Sequence, residues 1–137
     1  MELFSEKMSM EEILAIPTLT LAHIGDGVYE LLARCHVVHE RASRVEAAHK
    51  RTVGMVRAGA QARAAELLLP RLSEEETAYF MRGRNAQPHS VPKNSTRKEY
   101  AYATGLETLF GMLYLSGRER RIRELWELIL ESADEGI

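Results

Sequence analysis

The chain has 137 residues, 45% hydrophobic and 28% charged, an ordinary globular composition that argues against a disordered or fibrous chain. The formal net charge of −2 announces no nucleic-acid partner by global charge. A single cysteine, Cys35, leaves no internal disulfide and no cysteine-rich zinc site, which fits a reducing cytoplasm.

The N-terminal "MELFSEKMSMEEIL" places acids before any apolar run, and nowhere do eighteen apolar residues follow one another. Neither a secreted chain nor one that spans or binds a membrane is expected. Apolar residues recur three and four apart throughout, which predicts an all-α fold in one domain over residues 1–137. "SMEE", Ser9 to Glu12, is a capping box opening a short helix that Pro17 closes. A long helix is expected from about Thr18 to Val38, and a third from about Ser43 to Leu69, interrupted near Gly54 or Gly59 and ended by Pro70. "SEEE", Ser73 to Glu76, opens a fourth that decays at Gly83. "RNAQPHSVPKNS", Arg84 to Ser95, reads as an extended loop. "TRKE", Thr96 to Glu99, caps an apolar helix that stops at Ser116 and Gly117. An amphipathic helix through Ile122, Leu125, Trp126, Ile129 and Ala133 ends the chain.

Within the second helix, "LAHIGDGVYELLARC" sets Asp26 between Gly25 and Gly27. Each glycine costs about 1 kcal/mol inside a helix relative to alanine, and a lone buried carboxylate costs more. Ile24, Val28, Leu31 and Cys35 form one stripe, and Asp26 projects from nearly the opposite side with Ala22, Tyr29 and Glu30. There Ala22, Gly25 and Gly27 thin the helix enough for another to approach. The apolar "YAYATGLETLFGMLYL" helix carries Glu107, with Gly111 one turn later, Ala103 one turn earlier and Gly105 nearby. Taken singly, each acid reads equally well as a satisfied core group, Asp26 paired with Arg34 or His23 and Glu107 with an arginine. Jointly they suggest a helix crossing that brings two carboxylates together, where they repel unless a proton or cation intervenes. Two acids plus waters suit Mg²⁺, which can activate water against a phosphodiester.

These residues resemble a known family. "LAHIGDGVYELLAR" is similar to the "LGDAV" signature helix of ribonuclease III, and "TGLETLFGMLYLSG" to that family's second catalytic helix, "DAFEALIGAIYLD". The match is fuller with its short bacterial form, mini-ribonuclease III. That group also shows "HK", an "AQA" helix, "RGRNA" and "VPKN", here His49–Lys50, Ala60 to Ala62, Arg82 to Ala86 and Val91 to Asn94. The resemblance runs in order from about Leu19 to Leu115.

It implies an all-helical, dimeric endonuclease domain that cuts double-stranded RNA with Mg²⁺, with Asp26 and Glu107 as catalytic, metal-binding acids. The further acids of the long enzymes fall here on Ala22, Leu19 and Thr104, losses that the short form shares. The separate double-stranded-RNA-binding domain of the long enzymes is not expected here, so the catalytic dimer must grip RNA itself. The resemblance further implies maturation of large-subunit ribosomal RNA precursors, helped by a ribosomal protein bound to the RNA.

From Thr77 to Lys98 there is no acid, while Arg82, Arg84, Lys93, Arg97 and Lys98 are present. A-form RNA is read through phosphates and 2′-hydroxyls, which makes Arg82, Arg84, Asn85, Lys93 and Asn94 the expected RNA contacts. Lys50, Arg51 and Arg57 form a second candidate patch, equally readable as a solvated helix face. None of His23, His36, His39, His49 and His89 has zinc-ligand spacing. Two rivals stay open: a non-catalytic RNA-binding protein that keeps this fold, made plausible by Ala22, Leu19 and Thr104, and a helical adaptor without RNA.

Overall fold

A computed structural model describes residues 6–40, 44–86, 93 and 95–135. Among them the chain forms α1 (Met10–Leu14), α2 (Thr18–His39), α3 (Val45–Val56), α4 (Ala58–Leu68), a 3₁₀ turn (Leu69–Arg71), α5 (Glu74–Arg84), α6 (Arg97–Leu115) and α7 (Glu119–Glu135), with no strand. No helix among these residues is long and apolar enough to cross a membrane.

The three expected capping boxes form. Ser9, Ser73 and Thr96 each accept from the backbone N–H of Glu12, Glu76 and Glu99, whose side chains reach back to the cap N–H. Each box satisfies two amides that the first helical turn leaves without intrahelical partners.

Helix α6 is central. Its side chains are apolar on every side, so it must be covered all round, and it packs most extensively on α2, then on α5 and α4. Leu106, Leu109, Phe110, Met112 and Leu113 are fully buried. They meet Leu21 and Tyr29 from α2, Leu68 from α4, Phe80 from α5 and Leu125 from α7 in one core cluster. Tyr29 is wedged edge-on between Phe110 and Trp126, at centroid distances of 5.4 and 5.2 Å.

The two long helices meet through glycine. A Cβ on Gly25 would stand 1.6 Å from the Glu107 carbonyl oxygen, and one on Gly111 2.2 Å from the Leu21 carbonyl oxygen. Only bare backbone allows this approach. Gly27 and Gly105 serve otherwise: a Cβ on Gly27 would meet nothing within 4 Å, and one on Gly105 would strike Phe80 of α5.

The interruption expected near Gly54 or Gly59 falls between them at Arg57, which is extended at φ −63°, ψ 155° and divides the segment into α3 and α4. The break leaves the Val56 carbonyl without a helical donor, and Gln61 Nε2 supplies one at 2.8 Å. In α2, the buried face is Leu21, Ala22, Gly25, Tyr29, Ala33 and Val37. Of the stripe through Ile24, Val28, Leu31 and Cys35, Val28 packs at the edge of the core while Leu31, 49% exposed, and Val38 beyond it, 67% exposed, face outward. Close glycine packing fixes the rotation of α2, and that outweighs the burial of larger side chains.

Helix α7 is locked by a buried ion pair. Arg121 donates to Glu76 at 2.8 and 2.9 Å and to the Arg71 carbonyl at 2.9 Å.

Candidate active site

The crossing of α2 and α6 brings Asp26 and Glu107 together. Asp26 is exposed at the rim and Glu107, half-buried, lies beside it. The two side chains lie within hydrogen-bonding and charge-coupling range. Burial, then the charge on Asp26, push the Glu107 carboxyl up to about 8. A hydrogen bond from Gln61 pulls the other way without prevailing, and one with the Asp26 carboxyl adds to the rise. Two carboxylates facing each other hold a proton between them until a cation replaces it. The neighbouring Tyr29 hydroxyl is also driven above its ordinary range, first by burial and then by the charge on Glu107, so it stays protonated.

Arg34, the alternative arginine partner for Asp26, is engaged elsewhere. Arg34 pairs with Glu30 at 3.0 Å. Among the described residues no group of three or more His, Cys, Asp or Glu side chains could hold a metal ion. A cation here would therefore rest on two carboxylates and water, an all-oxygen set that fits a hard divalent ion. Ala22 and Thr104 are buried, Leu19 is 44% exposed, and the Thr104 hydroxyl is spent on the Tyr100 carbonyl at 3.0 Å.

The candidate RNA residues divide. Arg82 belongs to α5, not to a loop, and turns inward. Its Nε donates to Thr18 Oγ1 at 2.7 Å and its Nη2 to the Ile16 carbonyl. Its Nη1 is buried without a partner among the described residues. Arg82 therefore staples α5 to the α1–α2 turn. Arg84 and Asn85 close α5, and Arg84 lies over the Tyr102 ring at 5.8 Å. Together with Arg97, Lys98 and Tyr102 they line a cleft of about 370 Å³ at the start of α6. Lys93 is exposed, whereas Asn94 and His89 lie outside the described residues. Lys50 and Arg51 are exposed on α3, with Arg51 held by Glu40 through two bonds of 3.1 and 3.2 Å.

Three participants were missed in the sequence. Tyr102 draws Arg84 and Lys98 to the two ends of one cleft, an arrangement visible only once α5 and α6 pack. Gln61 reads as an ordinary helix residue until the break at Arg57 gives it the Val56 carbonyl. Tyr29 was read only as a neighbour on the Asp26 side of the wheel.

The all-helical fold, with α2 and α6 crossing through glycine, is that of the ribonuclease III class. The Ribonuclease III domain family model matches residues 19–118. Over almost its whole length the chain is similar to Mini-ribonuclease 3 of Thermoanaerobacter sp. (strain X514), 39% identical over 131 residues, with 96% of this chain and 92% of that protein covered. Mini-ribonuclease 3 of Symbiobacterium thermophilum is 37% identical over 129 residues, covering 94% and 99%. The X-ray crystal structure of protein FN1578 from Fusobacterium nucleatum superposes with a TM-score of 0.81 at 25% identity, over 89% of this chain and 98% of that one. The chain belongs to the Mini-ribonuclease 3 family and is an endoribonuclease.

Proposed function

We propose that this endoribonuclease cleaves double-stranded RNA with Mg²⁺, held by Asp26 and Glu107. The observation that carries the reading is the pairing of these two carboxylates beside the close backbone approach of α2 and α6 at Gly25 and Glu107. Once bound, Mg²⁺ supplies charge neutralisation at the phosphodiester and activation of the attacking water. The chain supplies the rest. Asp26, exposed, and Glu107, half-buried beside it, would hold the cation between them, Glu107 in its ionised form. Rigid backbone contact between the helices keeps the two carboxylates from separating as their charges build.

Duplex binding is assigned to the acid-free surface: Arg84, Asn85, Lys93 and Asn94, joined by Arg97 and Lys98 around Tyr102. Lys50 and Arg51 extend it on α3. Arg97 precedes Glu107 by ten residues on α6, about 15 Å along the helix axis at 1.5 Å per residue. A phosphate gripped in the cleft thus lies on the helix that carries the acid.

The active form is read as a homodimer. Helix α6 is largely covered within the chain, whereas the outer stripe of α2 leaves Leu31 and Val38 exposed. Such a stripe is self-complementary across a two-fold axis. The RNA is assigned as large-subunit ribosomal RNA precursor, with a ribosomal protein as helper, on the resemblance of the motif set. The exposed thiol of Cys35 suits the reducing cytoplasm.

Incubating the purified chain with a long RNA duplex, with Mg²⁺ and with excess EDTA, tests the reading. Cleavage only with metal supports it; cleavage in EDTA, or binding without cleavage in Mg²⁺, overturns it.

A further inference from the structure

A second cleft, of about 370 Å³, opens where α3, α4 and α7 meet over α2, and it shares no residue with the basic cleft at the start of α6. Protein interiors ordinarily close on such a space. Here Gly54 on α3 and Ala60 and Ala64 on α4 line it, and they have no bulk with which to fill it. The floor is aromatic. Tyr29 and Trp126, 2% and 7% exposed, line it with their rings edge-on at 5.2 Å. Half-buried Met55 and Leu67 add apolar wall. A concave, mainly apolar and aromatic space of roughly 300–1,000 Å³ with a few placed polar groups is the usual form of a small-molecule site.

The polar groups are of two kinds. Neither the Tyr29 hydroxyl nor the Trp126 indole N–H has a hydrogen-bond partner among the described residues, although buried Tyr and Trp usually find one. Two donors thus stand unmatched in one floor. At the mouth, Arg51 and Arg63 are exposed, and among the described residues no acidic side chain lines the cleft. Glu40 holds Arg51 through Nε and Nη2, which leaves Nη1 to donate elsewhere. Arg63 has no ion pair among the described residues. Guanidinium groups match phosphate through paired N–H donors. Tyr29 follows Asp26 by one turn of α2, and Phe110, on which its ring packs, follows Glu107 by one turn of α6. The floor therefore lies one helical turn from the acid pair.

We propose that this cleft binds a nucleoside monophosphate, its base on the floor of Tyr29 and Trp126 and its phosphate on Arg51 and Arg63. An aromatic floor alone suits any flat apolar ligand, and an arginine pair alone suits any anion; a nucleotide uses both. A free nucleotide and the unpaired end of an RNA strand share this chemistry. Neither Asp26 nor Glu107 lines the cleft, so the proposal stands apart from the metal assignment.

Trp126 is the only tryptophan of the chain, so its fluorescence reports occupancy of the cleft directly. The test is titration of the full chain with adenosine 5′-monophosphate in EDTA, where quenching of Trp126 should saturate. Adenosine alone and inorganic phosphate alone should each bind more weakly than the nucleotide, since each fills half of the site. A second titration uses an RNA hairpin with an unpaired 5′-phosphorylated tail, against the same hairpin with a blunt end. Arg63→Met keeps bulk at an exposed position but removes the charged donors, and should weaken whichever probe quenches by at least about tenfold. Arg120→Met, exposed on α7 outside the cleft, should leave that affinity unchanged. Quenching by the mononucleotide supports the proposal with a free nucleotide as ligand. Quenching by the tailed hairpin, without the mononucleotide or the blunt hairpin, supports it with a strand end as ligand. Quenching by neither overturns it, as does equal affinity in Arg63→Met and wild type. Where the mononucleotide binds, equally tight binding of adenosine or phosphate alone overturns it too.

Discussion

Gly25 and Glu107 are in backbone contact, so close that a Cβ on Gly25 would stand 1.6 Å from the Glu107 carbonyl oxygen and 2.8 Å from the Gly111 nitrogen. No side chain can yield to relieve this, because both obstacles are main chain. Gly25→Ala should therefore destabilise the chain by about 3 kcal/mol or more, as overpacking against backbone does. It should also disrupt the pairing of Asp26 with Glu107. Gly54→Ala is the control: in α3, a Cβ there meets nothing within 4 Å, and the change should be neutral or stabilising by up to about 1 kcal/mol. Urea unfolding of both variants measures the contrast.

The clamp on α7 should be sensitive to truncation and to acid. Burial works against ionised Glu76, but the Arg121 and Ser73 hydrogen bonds outweigh it and hold the carboxyl below its ordinary value. Stability from this pair is thus present above the unfolded carboxylate pKa and is lost as pH falls through the lower folded value. Arg121→Ala leaves Glu76 buried and unpaired. A fully buried pair loses about 3–5 kcal/mol in this way, and with the Arg121 side chain 28% exposed about 2 kcal/mol is expected. Thermal melts at neutral and acid pH should show the penalty shrinking in acid.

The arginines of the basic segment should separate by role. Arg82→Ala removes the donors that hold Thr18 and Ile16, so it should cost about 1–3 kcal/mol of stability with little change in the salt dependence of duplex binding. Arg84→Ala with Lys93→Ala should leave the melting temperature nearly unchanged. That pair should weaken duplex binding and lower the salt slope by about 1 for each phosphate contact removed. Binding at two salt concentrations and melting curves on the same samples decide between them.

Most of the helical scaffold was legible in the sequence because its signals are local. The capping boxes at Ser9, Ser73 and Thr96 and the apolar circumference of α6 depend on neighbours in the chain. The small residues beside Asp26 and Glu107 pointed to a close crossing, and Gly25 and Gly111 make it. What escaped was set by long-range packing. Arg82 carries the same charge as Arg84, and nothing within its own segment distinguishes a staple to Thr18 from a surface contact. The outward turn of Leu31 follows from Gly25 facing α6, which a helical wheel for α2 alone does not reveal.

Proton and metal should compete at the acid pair. With the Glu107 carboxyl raised to about 8, above its unfolded value, the metal-free chain has this group's stability in full below the ordinary carboxylate pKa. That contribution is lost as pH rises through about 8. Divalent-ion affinity should run the other way, strengthening with pH and levelling off above that value as Glu107 no longer has a proton to lose. The stabilisation conferred by Mg²⁺ should therefore be larger at about pH 8.5 than at about pH 6. Melting curves with and without metal at the two values measure it.

The central claim is that Asp26 and Glu107 hold the cation that makes this chain a nuclease. Asp26→Asn and Glu107→Gln each remove a negative charge with almost no change in shape, and so separate metal binding from folding and from RNA binding. The decisive measurement is cleavage of a long RNA duplex in Mg²⁺ by each variant, alongside duplex affinity in EDTA. The predicted result is loss of cleavage by at least about a hundredfold, on the order of 3 kcal/mol in barrier, with duplex affinity kept. Cleavage near the wild-type rate by either folded variant would contradict the account.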